Sequence, residues 1–270
     1  MTHAASTLSA LADSSLGVAM RDALDVEALL SDAIAIQQIP APTFYESQRA
    51  AYVARRFETL GLRDVAQDAL HNVYGRLPGA DAQAPALLIS AHTDTVFPVE
   101  SDLTVRRADG CVFGPGLGDN SLGVAGLLGL LAVWRRAEFR SPGDVWFVAN
   151  TREEGLGNLG GIRAAWDRLG DRLGAAIVLE GMALGRVYHA GIAVRRLRVT
   201  CTAPGGHSWT HFGKPSAIHE LIVAASRIIA LTPPRQPSTT FNIGLIHGGQ
   251  SVNSLASSAE FYLDLRSEEA

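Results

Sequence analysis

Residues 86–95 read Ala86-Leu87-Leu88-Ile89-Ser90-Ala91-His92-Thr93-Asp94-Thr95. The first six form a short, almost wholly apolar run without polar alternation, which is the pattern of a strand buried on both faces. The run then stops at a histidine and an aspartate. Two later stretches follow the same plan: Val145-Trp146-Phe147-Val148-Ala149 leads into Asn150-Thr151-Arg152-Glu153-Glu154, and Ala175-Ala176-Ile177-Val178-Leu179 leads into Glu180. Buried strands that alternate with helices build an α/β sheet covered on both sides, and such sheets gather ligands at the carboxyl ends of their strands.

Helical spacing surrounds these strands. Leu24, Leu29, Leu30, Ala33 and Ile34 mark a helix over 22–36 that Pro40 and Pro42 end; a second covers 43–60 and closes at Gly61; others cover 120–137 and 157–169, and a further strand spans 73–77. Beyond Gly191 the pattern changes. Leu197, Val199 and Cys201 alternate with Arg196, Arg198 and Thr200, and Phe261, Leu263 and Leu265 alternate with Glu260, Tyr262, Asp264 and Arg266, so these strands have one wet face. Between them Ile218, Leu221, Ile222, Ala225 and Ile229 form one helical stripe, and a strand passes through Phe241, Ile243 and Leu245. The expected organisation is a flexible leader at 1–20, an α/β unit at 21–190, and a smaller α+β unit at 191–270.

Composition narrows the function. The 270 residues are 47% hydrophobic and 19% charged, enough for a real core. A net charge of −4 leaves no surplus of Lys and Arg for a phosphate backbone, so no nucleic-acid partner is expected. The most apolar run, Leu122 to Trp134, contains three glycines and falls short of the ~20 residues that cross a bilayer, so a buried helix and no membrane partner are expected. Cys111 and Cys201 are the only cysteines and form no CxxC pair, which fits a reducing, cytoplasmic setting.

Several charged residues stand where the core segments end. Alternation puts His92 and Asp94 on one side of an extended segment, so that the carboxylate can hold one imidazole nitrogen while the other binds a metal. Gly114-Pro115-Gly116-Leu117-Gly118-Asp119-Asn120-Ser121 lacks both nucleotide-binding fingerprints and presents Asp119 beside flexible backbone. Of the neighbours Glu153 and Glu154, one can bind a metal while the other, crowded by like charge, becomes a base. Glu180 follows the third buried run. Taken singly these are a loop, a helix cap, a solvated helix start and a strand exit. Together, one histidine and several carboxylates suit a divalent ion such as zinc, and a two-metal hydrolase site accounts for all of them.

The stretches SAHTDTV, GPGLGDNSLG, NTREEGLGNLGG, VLEG and APGGHSW, in this order, resemble the motifs of the zinc-dependent family that includes aminoacylase, peptidase T, carboxypeptidase G and succinyl-diaminopimelate desuccinylase. The resemblance implies a mixed-sheet, zinc-exopeptidase-like sandwich as catalytic domain and a ferredoxin-like lid at 191–270 that pairs two subunits as a homodimer. It implies that His92 and Glu180 hold one Zn2+, that Asp119 bridges, that Glu154 holds a second Zn2+, and that Glu153 activates the water between them; Co2+ or Mn2+ are alternative ions. Asp94 would orient His92, His207 would stabilise the tetrahedral oxyanion, and Asn253 and Arg266 resemble lid residues that hold a substrate carboxylate. The Asp119–Asn120 peptide bond is expected to be cis. Substrates would be short peptides or N-acyl amino acids. The family pattern continues with a further lid helix and strand, a return to the catalytic domain and a final histidine on the second metal; His247 matches a lid strand instead, and His189, His211 and His219 match no motif. On that ground both domains are expected to be truncated at their C-terminal ends and the chain a fragment with impaired activity. The alternative is a catalytically silent homologue that dimerises or binds a ligand.

Overall fold

The computed structural model describes residues 9–181 and 185–269, which form two compact units, Met1–Gly185 and Arg186–Ala270. In the first unit a five-stranded sheet is built from β1 (Arg63–Gln67), β2 (Val73–Leu77), β3 (Ala86–His92), β6 (Val145–Asn150) and β7 (Leu173–Val178), in the order β1-β2-β6-β3-β7. A small hairpin of β4 (Arg106–Ala108) and β5 (Cys111–Phe113) stands apart from it. β6, β3 and β7 run parallel, whereas β2 pairs antiparallel with β6 and with β1, so the sheet is mixed, as the family resemblance implies.

Because successive strand residues face opposite sides, β6 feeds two cores. Val145, Phe147 and Ala149 join Ile89 and Ala91 of β3 against α2 (Val26–Gln37), α3 (Ser47–Thr59) and α4 (Leu122–Arg136), where Ile36, Phe57, Val124 and Leu128 are buried. Trp146 and Val148 join Leu88 and Tyr74 on the other side, against Ala165 and Leu169 of α5 (Gly160–Leu169). Each large aliphatic or aromatic side chain sealed in this way is worth roughly 1.5–3 kcal/mol. The helical stretch Leu117–Arg136 is long and apolar enough to span a bilayer, yet Val124, Ala125, Leu127 and Leu131 are fully buried inside the unit, so its apolarity is that of a core helix.

Three expectations change. Part of the stretch read as a leader is helical: α1 (Ser15–Asp22) is capped by the Ser14 side chain, which accepts from Gly17 N, although it buries none of its residues. The run at 175–179 has the composition of a doubly buried strand, but in β7 Ile177 and Val178 are 48% and 61% exposed, because β7 is the edge of the sheet and pairs only with β3 among the described residues. β1 was not foreseen, since Arg-Asp-Val-Ala-Gln carries neither alternation nor an apolar run and is held as an edge by its pairing with β2.

The second unit has an antiparallel sheet ordered β10-β12-β8, from β8 (Ala193–Thr202), β10 (Thr239–Gly248) and β12 (Ser258–Ser267), with α6 (Ala217–Ile229) on one face. Leu221 and Ala225 meet Phe261, Leu263 and Val199 in its core, while Ile222 and Ile229 of the predicted stripe stay exposed. A bulge between Ile243 and Leu245 turns Leu245 away from the core side. The short strands β9 (Gly206–His207) and β11 (Ser254–Leu255) pair with each other.

Candidate metal centre

Parallel register decides what meets at the top of the first unit. His92 lies opposite Asn150, and Leu179 N donates to Ser90 O, so the ends of β3, β6 and β7 are level. Each strand then delivers its acidic residues to one place: Glu153 and Glu154 after β6, Glu180 after β7. Asp119 arrives from the glycine-rich loop before α4. That loop touches the turn after β7 so closely that a Cβ on Gly181 would stand 1.9 Å from Gly118 O, which reserves the position for glycine.

His92, 3% exposed, is the hub. Its Nε2 lies 3.1 Å from Asp119 Oδ1 and 3.4 Å from Glu180 Oε2. Its Nδ1 donates to the backbone carbonyl of Asp94 at 3.1 Å, with the Asp94 carboxylate farther off at 3.6 Å. The imidazole is therefore oriented by the Asp94 main chain, a bond that alternation of side chains does not foresee. Burial works against charge on this ring, but its contacts with Asp119, Asp94 and Glu180 outweigh that and push its pKa up to about 12.

The Asp94 carboxylate is occupied elsewhere. Fully buried, it accepts from Thr43 Oγ1 at 3.0 Å, from Glu153 N at 2.9 Å and from Glu154 N at 3.0 Å. These bonds and His92 hold its pKa below the ordinary value against the pull of burial. Burial raises Glu153 and Glu154 alike; Glu154, further crowded by Asp119 and Glu153, is pushed up to about 7.

Whether these residues suit a divalent ion can be asked of their spacing. Two ligands at ~2.0–2.1 Å from a tetrahedral ion stand roughly 3.3 Å apart, and the separations of 3.1 and 3.4 Å about His92 Nε2 match that edge. His92, Asp119 and Glu180 offer ligand atoms within 4.8 Å of one another, and so do His92, Glu153 and Glu154. The donor set fits a hard or borderline ion. His92 has one nitrogen free for such a cluster, because Nδ1 is committed to Asp94.

Four supporting residues carry no spacing signal in the sequence. Asn120, 1% exposed, donates from Nδ2 to Leu179 O at 2.9 Å, while its Oδ1 accepts from Gly123 N and Gly181 N. It thereby bolts the Asp119 loop to the Glu180 turn, and the Asp119–Asn120 bond is cis. Arg49, 2% exposed, donates to Thr93 O and Ile39 O; burial lowers its pKa to about 10 while Asp94 pulls the other way. Asn72 and Glu46 bind the backbone of Thr151 and Arg152.

The remaining candidates belong to the second unit. His207 on β9 and Asn253 beside β11 share a turn, where Ser208 N donates to Asn253 O; His207 Nδ1 accepts from Trp209 N, and Asn253 Oδ1 accepts from Ser251 Oγ. Arg266 sits near the far end of β12, eight positions beyond Ser258, roughly 26 Å at ~3.3 Å per residue. It donates to Asp264 at 2.8 Å.

With this geometry in view, the comparisons are specific. Residues 88–250 match the profile of the peptidase family M20/M25/M40. The chain belongs to this family. The M20 match takes in β3, the Asp119 loop, the Glu153–Glu154 pair and Glu180, and metal-dependent hydrolysis of peptide or amide bonds is the chemistry it brings. Among solved structures, the chain is similar to the aminopeptidase PepT of Bacillus cereus (TM-score 0.63, 22% identity, over 91% of this chain and 67% of that one). It is similar to a tripeptidase of Staphylococcus aureus (0.63, 24%, 90% and 67%) and to human carnosine dipeptidase 1 (0.61, 13%, 94% and 72%). At these identities the likeness is one of fold, and the M20 chain spans about two thirds of each neighbour's length. No curated protein sequence matches it.

Proposed function

We propose that this M20 protein hydrolyses the amide bond of short peptides or N-acyl amino acids at the cluster around His92, with two divalent ions, zinc before cobalt or manganese, as cofactors. In this reading His92, Asp119 and Glu180 hold one ion, and Asp119 and Glu154 hold the other. Bound there, the ions would polarise the amide carbonyl and ease ionisation of water. Glu153 takes the proton of the attacking water and passes it to the departing amine, a role that its half-buried, carboxylate-crowded position favours. The observation that carries the reading is the pair of separations about His92 Nε2, 3.1 and 3.4 Å, with two further carboxylates alongside.

From the second unit, His207 is assigned to the oxyanion and Asn253 and Arg266 to the substrate carboxylate, the latter two reaching it from different copies of the lid, since most of β12 separates them within one chain. Support for a homodimer through this lid comes from its sheet, whose edge strands β8 and β10 are unpaired on their outer sides among the described residues. Two free cysteines, Cys111 and Cys201, support a cytoplasmic setting. The test is metal content together with turnover of di- and tripeptides and N-acetyl amino acids. Glu153→Gln should keep metal and lose about 10²–10⁴ in turnover, whereas Glu154→Gln should lose metal. Equal metal loss in both would mean that the base is wrongly assigned.

A further inference from the structure

After Asn150 the β-ladder ends, yet the next four backbone amides are all satisfied by side-chain oxygens. Thr151 N donates to Asn72 Oδ1 at 2.9 Å, Arg152 N to Glu46 Oε1 at 3.1 Å, Glu153 N to Asp94 Oδ1 at 2.9 Å and Glu154 N to Asp94 Oδ2 at 3.0 Å. The three acceptors come from distant parts of the chain and are at most 1% exposed. Arg152 is the unusual link, for its φ of +54° is a left-handed conformation that a side chain with a Cβ disfavours. That twist lies between the end of β6 and the two glutamates, so the hydrogen bond at Arg152 N holds the kink that aims them.

Glu46 is a costly residue to use for this. It stands directly before α3, where a carboxylate ordinarily caps the helix or faces solvent. Its side chain makes no cap bond; it is buried, reaches Arg152 instead, and leaves Oε2 without a partner. A helix needs no such group, and a buried carboxylate with one unpaired oxygen is unfavourable unless something else requires it.

We propose that Glu46 is a positioning residue: by holding Arg152 in its left-handed turn it sets the direction of Glu153 and Glu154 toward His92. The inference rests on the metal reading above and extends it to a residue outside the cluster. Loss of an outer partner of this kind typically weakens metal binding by about 10- to 100-fold.

The test uses the full chain and Co2+ alone, read by titration and by its visible absorption. Glu46→Leu removes the acceptor and should weaken Co2+ binding by at least tenfold and alter the spectrum, while Glu46→Gln, which still offers an oxygen to Arg152 N, should restore affinity to within about threefold of the parent. Leu169→Ala, a core cavity under α5, should lower the melting temperature and leave Co2+ affinity unchanged, which separates positioning from general loss of stability. If Glu46→Leu does not fold, Glu46→Asp replaces it, since the shorter arm withdraws the oxygen. Unchanged affinity in the variant that removes the bond, or a glutamine variant as impaired as it, overturns the role of Glu46. Glu154→Gln run in parallel keeps the two ideas apart: if it binds Co2+ like the parent, the metal reading fails and Glu46 falls with it; if it is depleted while Glu46→Leu is not, Glu46 alone is wrong.

Discussion

Replacing Asn120 by alanine removes three hydrogen bonds at once, to Leu179 O, Gly123 N and Gly181 N. The Gly123 amide lies in buried surroundings at the start of α4 and would be stranded, whereas the other two are part-buried and can be reached by water. One stranded donor costs about 1–3 kcal/mol and two ordinary bonds about 0.5–1.5 each, so the variant should lose roughly 2–6 kcal/mol. For a unit of this size a loss near 3 kcal/mol lowers the melting temperature by roughly 6–12 °C. Asn120→Asp is the sharper comparison. It keeps the acceptor for Gly123 and Gly181 but sets a carboxylate oxygen against Leu179 O, so it should retain part of the stability and still loosen the join between the Asp119 loop and the Glu180 turn. Thermal melts give the first quantity and Co2+ titration the second. A loss under about 1 kcal/mol for Asn120→Ala would refute the idea that this side chain bolts the two loops together.

Further outcomes follow from neighbouring contacts. Arg49→Met should destabilise by about 3–6 kcal/mol, because it removes two hydrogen bonds from a charged donor to Thr93 O and Ile39 O, at about 1.5–3 kcal/mol each, and Arg49→Lys should not rescue it, since one ammonium cannot reproduce that fork; melts of both variants check this. His92→Ala should abolish tight Co2+ binding, and retention of parent affinity would place the ion elsewhere. In the second unit burial works to raise the pKa of Asp264, but hydrogen bonds from Arg266 and Arg196 hold it below the ordinary aspartate value. Its contribution to stability is therefore fully present above pH ~4 and is lost as pH falls through that range. Asp264→Asn should flatten the acid limb of the stability profile, and a parent-minus-variant difference independent of pH would contradict the sign.

How much of this was readable without coordinates depends on the kind of signal. The runs at 86–91 and 145–149 carry their own burial, and β3 and β6 fall where composition puts them. The residues that end the strands stand out because a charge after an apolar run is conspicuous, and parallel pairing then makes them neighbours. Arg49, Asn72, Asn120 and Glu46 gave no such sign: each acts through a single bond to a backbone atom remote in sequence, and a polar residue beside a helix or turn has many ordinary uses. The same limit explains Asp94. Alternation puts its carboxylate beside His92, but two vacant amides at Glu153 and Glu154 are better partners for an anion, and the ring is left to the carbonyl.

Charge explains why the cluster should want ions at all. Asp94, Asp119, Glu153, Glu154 and Glu180 converge on a region that also holds His92 and the Arg49 guanidinium. Negative charge prevails, and it bears on the groups themselves: the contacts with Asp119, Asp94 and Glu180 push the pKa of the buried imidazole up against burial, and burial with the neighbouring carboxylates pushes Glu154 up to about 7. Divalent cations, with His92 giving up its proton, would supply the positive charge that these five carboxylates and Arg49 lack among themselves.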